Sequence, residues 1–142
     1  MIIKTYELNK INYKIKFFLL YGVNSGLKDE IIKKNFENRF KKNIYRYDEN
    51  EILNNKENFY NTIFTKSLFE EEKLIIILRV SDKIKDIINE IIEKKIDDIT
   101  IILNSSNLDK RSKLRSLFEK SKVTICIPFY EDNSQTLSTI TS

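Results

Sequence analysis

The sequence contains no histidine and only one cysteine, Cys126. Within this chain, these absences exclude a zinc site built from cysteine and histidine, an intramolecular disulfide, and every Ser-His or Cys-His catalytic arrangement. Cys126 lies in the apolar stretch 123–128, and no base is near it in the sequence. We therefore predict that its thiol is buried and inert.

Glycine, proline and long apolar runs are also scarce. With two glycines and one proline, the chain must build most turns from Asn, Asp and Ser, which tolerate turn conformations. The longest uninterrupted apolar run, residues 74–78, is far shorter than the ~20 residues of a spanning helix. No cleavable secretion signal precedes the folded pattern. We expect a cytoplasmic protein without membrane contact.

What is present fits one globular domain with its own core. The chain has 142 residues, of which 41% are hydrophobic and 32% charged, too apolar for a disordered segment. The net charge of +4 comes from 25 basic and 21 acidic residues. This mixture permits contact with nucleic acid without arguing for it.

Apolar, β-branched or aromatic runs alternate with helical patterns along the chain. Runs at 17–21, 43–47, 73–80, 99–103 and 123–128 predict five strands, and patterns at 27–40, 58–64, 82–96 and 109–120 predict helices. The third and fourth runs are apolar on consecutive residues, as in a parallel sheet covered on both faces. Ser81 and Asp82 have the chemistry to cap the third helix. The fold class is thus α/β, with an open five-stranded parallel sheet flanked by helices in three layers.

The turn after the first strand is where a doubly wound sheet would hold a phosphate. A phosphate-binding P-loop has four residues between its glycines, followed by Lys and then Ser or Thr. Here three residues separate Gly22 from Gly26, Leu27 precedes Lys28, and Asp29 stands at the hydroxyl position. We predict a degenerate nucleotide site in a domain shaped like a P-loop NTPase, with no nucleotide cofactor, no metal and no catalytic residue.

Several segments, taken in order along the chain, resemble the delta subunit of bacterial DNA polymerase III, a component of the clamp loader. They are residues 1–4, 18–22, 67–69, 73–77, 101–103 and 108–114. The resemblance covers essentially the whole chain but only the first of the three domains of such a subunit. It implies an AAA+-like domain at residues 1–130 and a linker at 131–142 that leads towards a lid domain absent from this chain.

This resemblance implies a role in DNA replication without enzymatic activity of the domain itself. The domain would bind the sliding clamp, the beta subunit, and help to open the ring for loading onto primed DNA. In the full-length protein the partners would include the tau or gamma and delta prime subunits, with DNA contacted indirectly. The family's apolar clamp contact corresponds here to Leu68 and Phe69, with Ser67 adjacent.

The residues themselves leave two interpretations of this segment open. Leu68 and Phe69 stand beside three carboxylates and just before a buried strand. They could complete the core beneath the helix at 58–64, because apolar residues before a strand are usually core. They could instead be an exposed apolar anchor, which is the interpretation that the resemblance favours.

Other interpretations also stay open. Lys110, Arg111 and Lys113 could contact another subunit or DNA, or they could be solvated bases in the first turn of a helix that begins near Asp109. The alternatives for the whole chain are a nucleotide-binding P-loop enzyme with an irregular loop, or a nucleic-acid-binding module.

Overall fold

Five parallel strands form the centre of the protein, seen in a computed structural model. They are β1 (Phe17–Gly22), β2 (Ile44–Asp48), β3 (Lys73–Leu78), β4 (Ile99–Ser105) and β5 (Thr124–Phe129). The structure describes residues 2–4, 7, 11, 14–23, 25–40, 43–64, 72–95, 98–106 and 108–129. The predicted linker at 131–142 lies outside the described residues, so that assignment stays a prediction.

The strands are ordered β2-β3-β4-β1-β5, and every neighbouring pair is parallel. β1 therefore lies between β4 and β5, and the chain reverses its direction of winding beside β1. All carboxyl ends of the strands meet at one edge of the sheet, here called the carboxyl edge, and all amino ends meet at the other, the amino edge. The open five-stranded parallel sheet predicted from the sequence is confirmed.

Helices cover both faces, which makes the three-layer arrangement. They are α1 (Ser25–Ile32), α2 (Asn38–Phe40), α3 (Glu49–Asn54), α4 (Lys56–Phe64), α5 (Lys85–Glu93) and α6 (Lys113–Lys120). A π-helical turn, Lys33–Glu37, joins α1 to α2, and a 3₁₀ turn, Asp82–Ile84, precedes α5. Within the described residues, no helix is long and apolar enough to cross a membrane.

Each face of the sheet has its own hydrophobic core, because successive side chains of a strand point to opposite faces. On one face, alternate residues of the central strands pack against α4, α5 and α6, with Phe59, Ile88 and Phe118 buried among them. On the other face, Phe18 and its neighbours pack against α1 and the π-helical turn. The rings of Phe18 and Phe36 meet edge to face, with centroids 4.8 Å apart.

The helices differ from the sequence prediction most clearly at the start of the last helix and at α3. The last helix begins at Lys113, four residues later than predicted, because Ser112 caps it by accepting a hydrogen bond from the backbone N–H of Arg115. Asp109 instead accepts a hydrogen bond from the N–H of Arg111 and closes a turn before the helix. Helix α3 was not predicted, although Asp48 and Glu51 form a capping box at its start.

Candidate functional site

The turn between β1 and α1 is closed around Gly22. Its φ angle is +126°, and a Cβ added there would lie 1.7 Å from the carbonyl oxygen of Phe129 in the neighbouring strand. A side chain at this position would therefore collide with backbone, and only glycine fits. Gly26, by contrast, has open space around its Cα. One of the two glycines is thus required by the close approach of β5.

Lys28 is buried rather than exposed at this turn. Its ammonium donates a hydrogen bond of 2.6 Å to the carbonyl oxygen of Ser105 at the end of β4, and the residue is only 3% exposed. Burial lowers the pKa of Lys28, and the nearby carboxylate of Asp29 opposes that shift only in part. The lysine at the phosphate-binding position therefore serves as an internal tie between α1 and β4.

The carboxyl end of β3 has its own set of polar contacts. The carboxylate of Glu49 is buried and accepts hydrogen bonds from the N–H and hydroxyl of Ser81, at 2.6 and 2.8 Å. Arg79, with a positive φ of 55°, forms an ion pair with Asp48. In the described part of the chain, no three residues among His, Cys, Asp and Glu are grouped so that they could hold a metal ion.

Asp82 caps a helix other than the one predicted. Its carboxylate accepts hydrogen bonds from the Ser112 hydroxyl and from the N–H groups of Lys113 and Leu114, at the start of α6. Burial favours the neutral acid, but these hydrogen bonds outweigh it and lower the pKa of Asp82. Ser81 performs the predicted capping by accepting from the N–H of Lys83.

The basic residues near the start of α6 lie at the carboxyl edge. Lys110, Arg111 and Lys113 are all exposed. Arg111 lines an open cleft of about 510 Å³ between the end of β3 and the start of α6, where Lys83 and Asp109 also face it. Lys113 does not line that cleft and lines a smaller one, of about 440 Å³, beside α5. The three bases thus share one edge without converging on one site.

The predicted clamp contact, Ser67, Leu68 and Phe69, lies outside the described residues. The residues that flank it are anchored at the amino edge. The ammonium of Lys73, the first residue of β3, donates a hydrogen bond of 3.2 Å to the carbonyl oxygen of Thr62 in the last turn of α4. Phe64, which ends α4, is 37% exposed and stacks on Tyr60. The chain therefore leaves α4 and enters β3 at two points that are tied together.

Cys126 lies in the middle of β5 and is fully buried. Its burial raises the pKa of the thiol to about 12. Both observations confirm the prediction of a buried thiol, since a nucleophilic cysteine needs a lowered pKa and access to substrate.

A family model for the DNA polymerase III delta subunit matches residues 19–127 of this chain. The chain belongs to the DNA polymerase III delta subunit family. The match spans more than three quarters of the sequence and includes every strand except the first two residues of β1 and the last two of β5. The resemblance predicted from the sequence is therefore confirmed.

A solved structure shares the fold of this delta-family chain. It is the DNA clamp loader delta protein (YqeN) of Bacillus subtilis, which superposes with a TM-score of 0.65 at 19% sequence identity. The alignment covers 89% of this chain and 41% of the Bacillus protein, so the chain spans less than half the length of that relative. No match was found among curated protein sequences.

Proposed function

We propose that this chain is the clamp-binding domain of a clamp-loader delta subunit in DNA replication. It binds the sliding clamp through Leu68 and Phe69, with Ser67 beside them, and helps to open the ring for loading onto primed DNA. The observation that carries the proposal is the anchored pair of chain ends around this segment in a chain of the delta family. In this proposal the domain acts in the cytoplasm and does not itself hydrolyse ATP.

The anchoring supports an exposed apolar contact at this place. The hydrogen bond from Lys73 to Thr62 holds the end of α4 against the start of β3 at the amino edge. Phe59 and Ile63 already fill the core beneath α4, each only 2% exposed. Leu68 and Phe69 are then available as anchors, each able to contribute about 2 kcal/mol or more in a clamp pocket.

Ring opening by this domain needs no nucleotide. A bound protein shifts an equilibrium between closed and open rings only by its difference in affinity for the two states. The domain would open the ring if the surface around Leu68 and Phe69 fits the clamp better when the adjacent interface has separated. Ring opening then does not require a nucleotide at the carboxyl edge of the sheet.

The β1–α1 turn supports the absence of ATP hydrolysis. The ammonium of Lys28, which would hold phosphates in a P-loop, instead donates a hydrogen bond to the carbonyl oxygen of Ser105, and Gly22 packs against the backbone of Phe129. Asp29 is exposed where a P-loop has a hydroxyl for magnesium, and its negative charge would repel a triphosphate. Lys28 would have to give up its buried hydrogen bond before it could contact a nucleotide.

Contacts with other clamp-loader subunits and, indirectly, with DNA are part of the proposal for the full-length protein. The exposed bases Lys110, Arg111 and Lys113 lie at the carboxyl edge, away from the proposed clamp contact at the amino edge. This location supports a contact with a neighbouring subunit that does not compete with the clamp. In this proposal residues 1–130 form the clamp-binding domain, and 131–142 lead onward to the lid.

A binding titration against the sliding clamp of the same organism tests the proposal. We expect micromolar or tighter binding by the unaltered chain and loss of binding in Leu68→Ala/Phe69→Ala. The matched control is Val23→Ala, which truncates a residue that is 52% exposed at the carboxyl edge. Unaltered binding in a folded Leu68→Ala/Phe69→Ala variant would refute the site, and absence of any clamp binding would refute the function.

A further inference from the structure

A second surface at the amino edge has the chemistry of a binding site. It is an open groove of about 530 Å³ between the segment that enters β1, the end of α5 and the turn that enters β5. Of the described residues that line it, four are lysines and one, Glu93, is acidic, which is a formal excess of three positive charges. The lysines are Lys14, Lys16, Lys95 and Lys122.

Most of these charges have no internal partner. Among the described residues, the ammonium groups of Lys16, Lys95 and Lys122 make no hydrogen bond and no ion pair. Lys95 and Lys122 are also exposed. Like charges gathered around one groove repel each other, and an acidic ligand would relieve that repulsion.

The floor of the groove is apolar. Ile15 and Ile92 are half-buried there, and Val123 is 51% exposed, one of the few large apolar side chains that the described residues leave open to solvent. A phosphate backbone gains nothing from such a floor, whereas a leucine or phenylalanine side chain would gain by burying it. The combination favours an acidic protein segment that carries an apolar side chain over a nucleic acid.

The position of the groove points to the partner. The groove and the anchored ends of α4 and β3 lie at the same edge of the sheet, and β4 alone separates β3 from β1. Two strand spacings amount to about 10 Å. A standard interface buries about 800 Å² on each partner and easily spans that distance.

We propose that this groove binds an acidic segment of the sliding clamp, beside the contact made by Leu68 and Phe69. The inference rests on the proposed function, because it assigns a second contact to the same partner. The apolar pair supplies a compact anchor, and the lysines orient the domain on the ring and speed its association. Because exposed charges are screened by salt, this second contact makes clamp binding depend on ionic strength.

The experiment is a titration of the full chain against the clamp at about 50 and about 300 mM salt, a range over which screening changes strongly. We expect Lys95→Glu/Lys122→Glu to weaken binding at low salt roughly tenfold and to reduce the salt dependence. Val123→Ser, which leaves the charge unchanged, should weaken binding several-fold with the salt dependence preserved.

The matched control is Lys56→Glu/Lys83→Glu, which makes the same change in net charge at two exposed lysines that do not line the groove. It should bind the clamp as the unaltered chain does. If both double variants weakened clamp binding equally, the proposed groove contact would be refuted, since the effect would then come from net charge alone. Unchanged binding by the groove variants would also overturn it.

The outcomes separate this inference from the proposed function. If the unaltered chain fails to bind the clamp at either salt concentration, the function itself is wrong and the groove contact with it. If clamp binding is lost in Leu68→Ala/Phe69→Ala but normal in Lys95→Glu/Lys122→Glu and Val123→Ser, the function stands and the groove is wrong. Duplex DNA bound by the unaltered chain and lost only in the groove variants would instead identify a nucleic acid as the occupant.

Discussion

Replacing Gly22 by alanine should destabilise the protein far more than the addition of one methyl group suggests. The new Cβ would lie 1.7 Å from the carbonyl oxygen of Phe129, an atom that no rotamer change can move. Relief would require β1 and β5 to separate where Gly22 pairs with Phe129. In addition, the φ angle of +126° strains any residue with a side chain by about 1–3 kcal/mol.

These effects together give an expected loss of about 3–5 kcal/mol for Gly22→Ala, a size reached only by a few mechanisms such as backbone strain and overpacking. That is a large share of the 5–15 kcal/mol that typically stabilises a domain. It corresponds to a fall in Tm of roughly 10–17 °C for a chain of this size. Gly26→Ala is the matched control, because its Cβ meets nothing within 4 Å and the residue lies within α1.

Gly26→Ala should be neutral or stabilising by up to about 1 kcal/mol, since alanine restricts the unfolded chain and favours helix. Urea unfolding followed by far-ultraviolet circular dichroism measures both changes. Equal unfolding midpoints for the two variants would refute the argument, because they would show that β5 does not press on the β1–α1 turn.

Three further predictions concern buried or capping groups. Asp82→Ala should lower the free energy of unfolding by about 1–2 kcal/mol at neutral pH, because α6 loses the carboxylate that caps it. Since the pKa of Asp82 is lowered from 3.8, this loss should persist at every pH above 3.8 and vanish at more acidic pH, as measured by urea unfolding. The lowered pKa of Lys28 means that the folded state binds this proton less tightly than the unfolded chain does, so the stability of the unaltered chain relative to Lys28→Met should rise as the pH approaches 10.5, and a constant difference would contradict the buried ammonium. Cys126, fully buried with a pKa of about 12, should react with Ellman's reagent at least about 100-fold faster in urea than in the native protein, whereas rapid native labelling would contradict its place in β5.

The strands of the central sheet could be predicted because their signal is local. Consecutive apolar residues such as 74–77 leave no polar face, so the strand they form must be covered on both sides. Burial confirms this, with Leu74, Ile75 and Ile77 completely inaccessible to solvent. The same local argument predicted the burial of Cys126.

Part of the polar architecture could not be predicted, because it depends on partners distant in the sequence. Asp82 is a residue type that caps helices and stands at the start of the helix that follows it. Its carboxylate nevertheless accepts hydrogen bonds from the start of α6, about thirty residues later. Asp109 and Ser112 are both residue types that cap helices, and it is Ser112, hydrogen-bonded to Asp82, that caps α6. A capping preference in the sequence does not say which helix will be capped.

At the β1–α1 turn, the sequence determines that the loop is not a regular P-loop, and the tertiary structure determines which contacts replace it. The spacing of Gly22, Gly26 and Lys28, with Asp29 in place of a hydroxyl, already predicted that the turn is not a regular P-loop, because that motif depends on consecutive backbone positions. Only the tertiary structure decided what replaced it. The sheet order brings β4 and β5 to either side of β1. The carbonyl oxygen of Ser105 in β4 therefore accepts a hydrogen bond from the ammonium of Lys28, and Phe129 in β5 leaves no room for a side chain at Gly22.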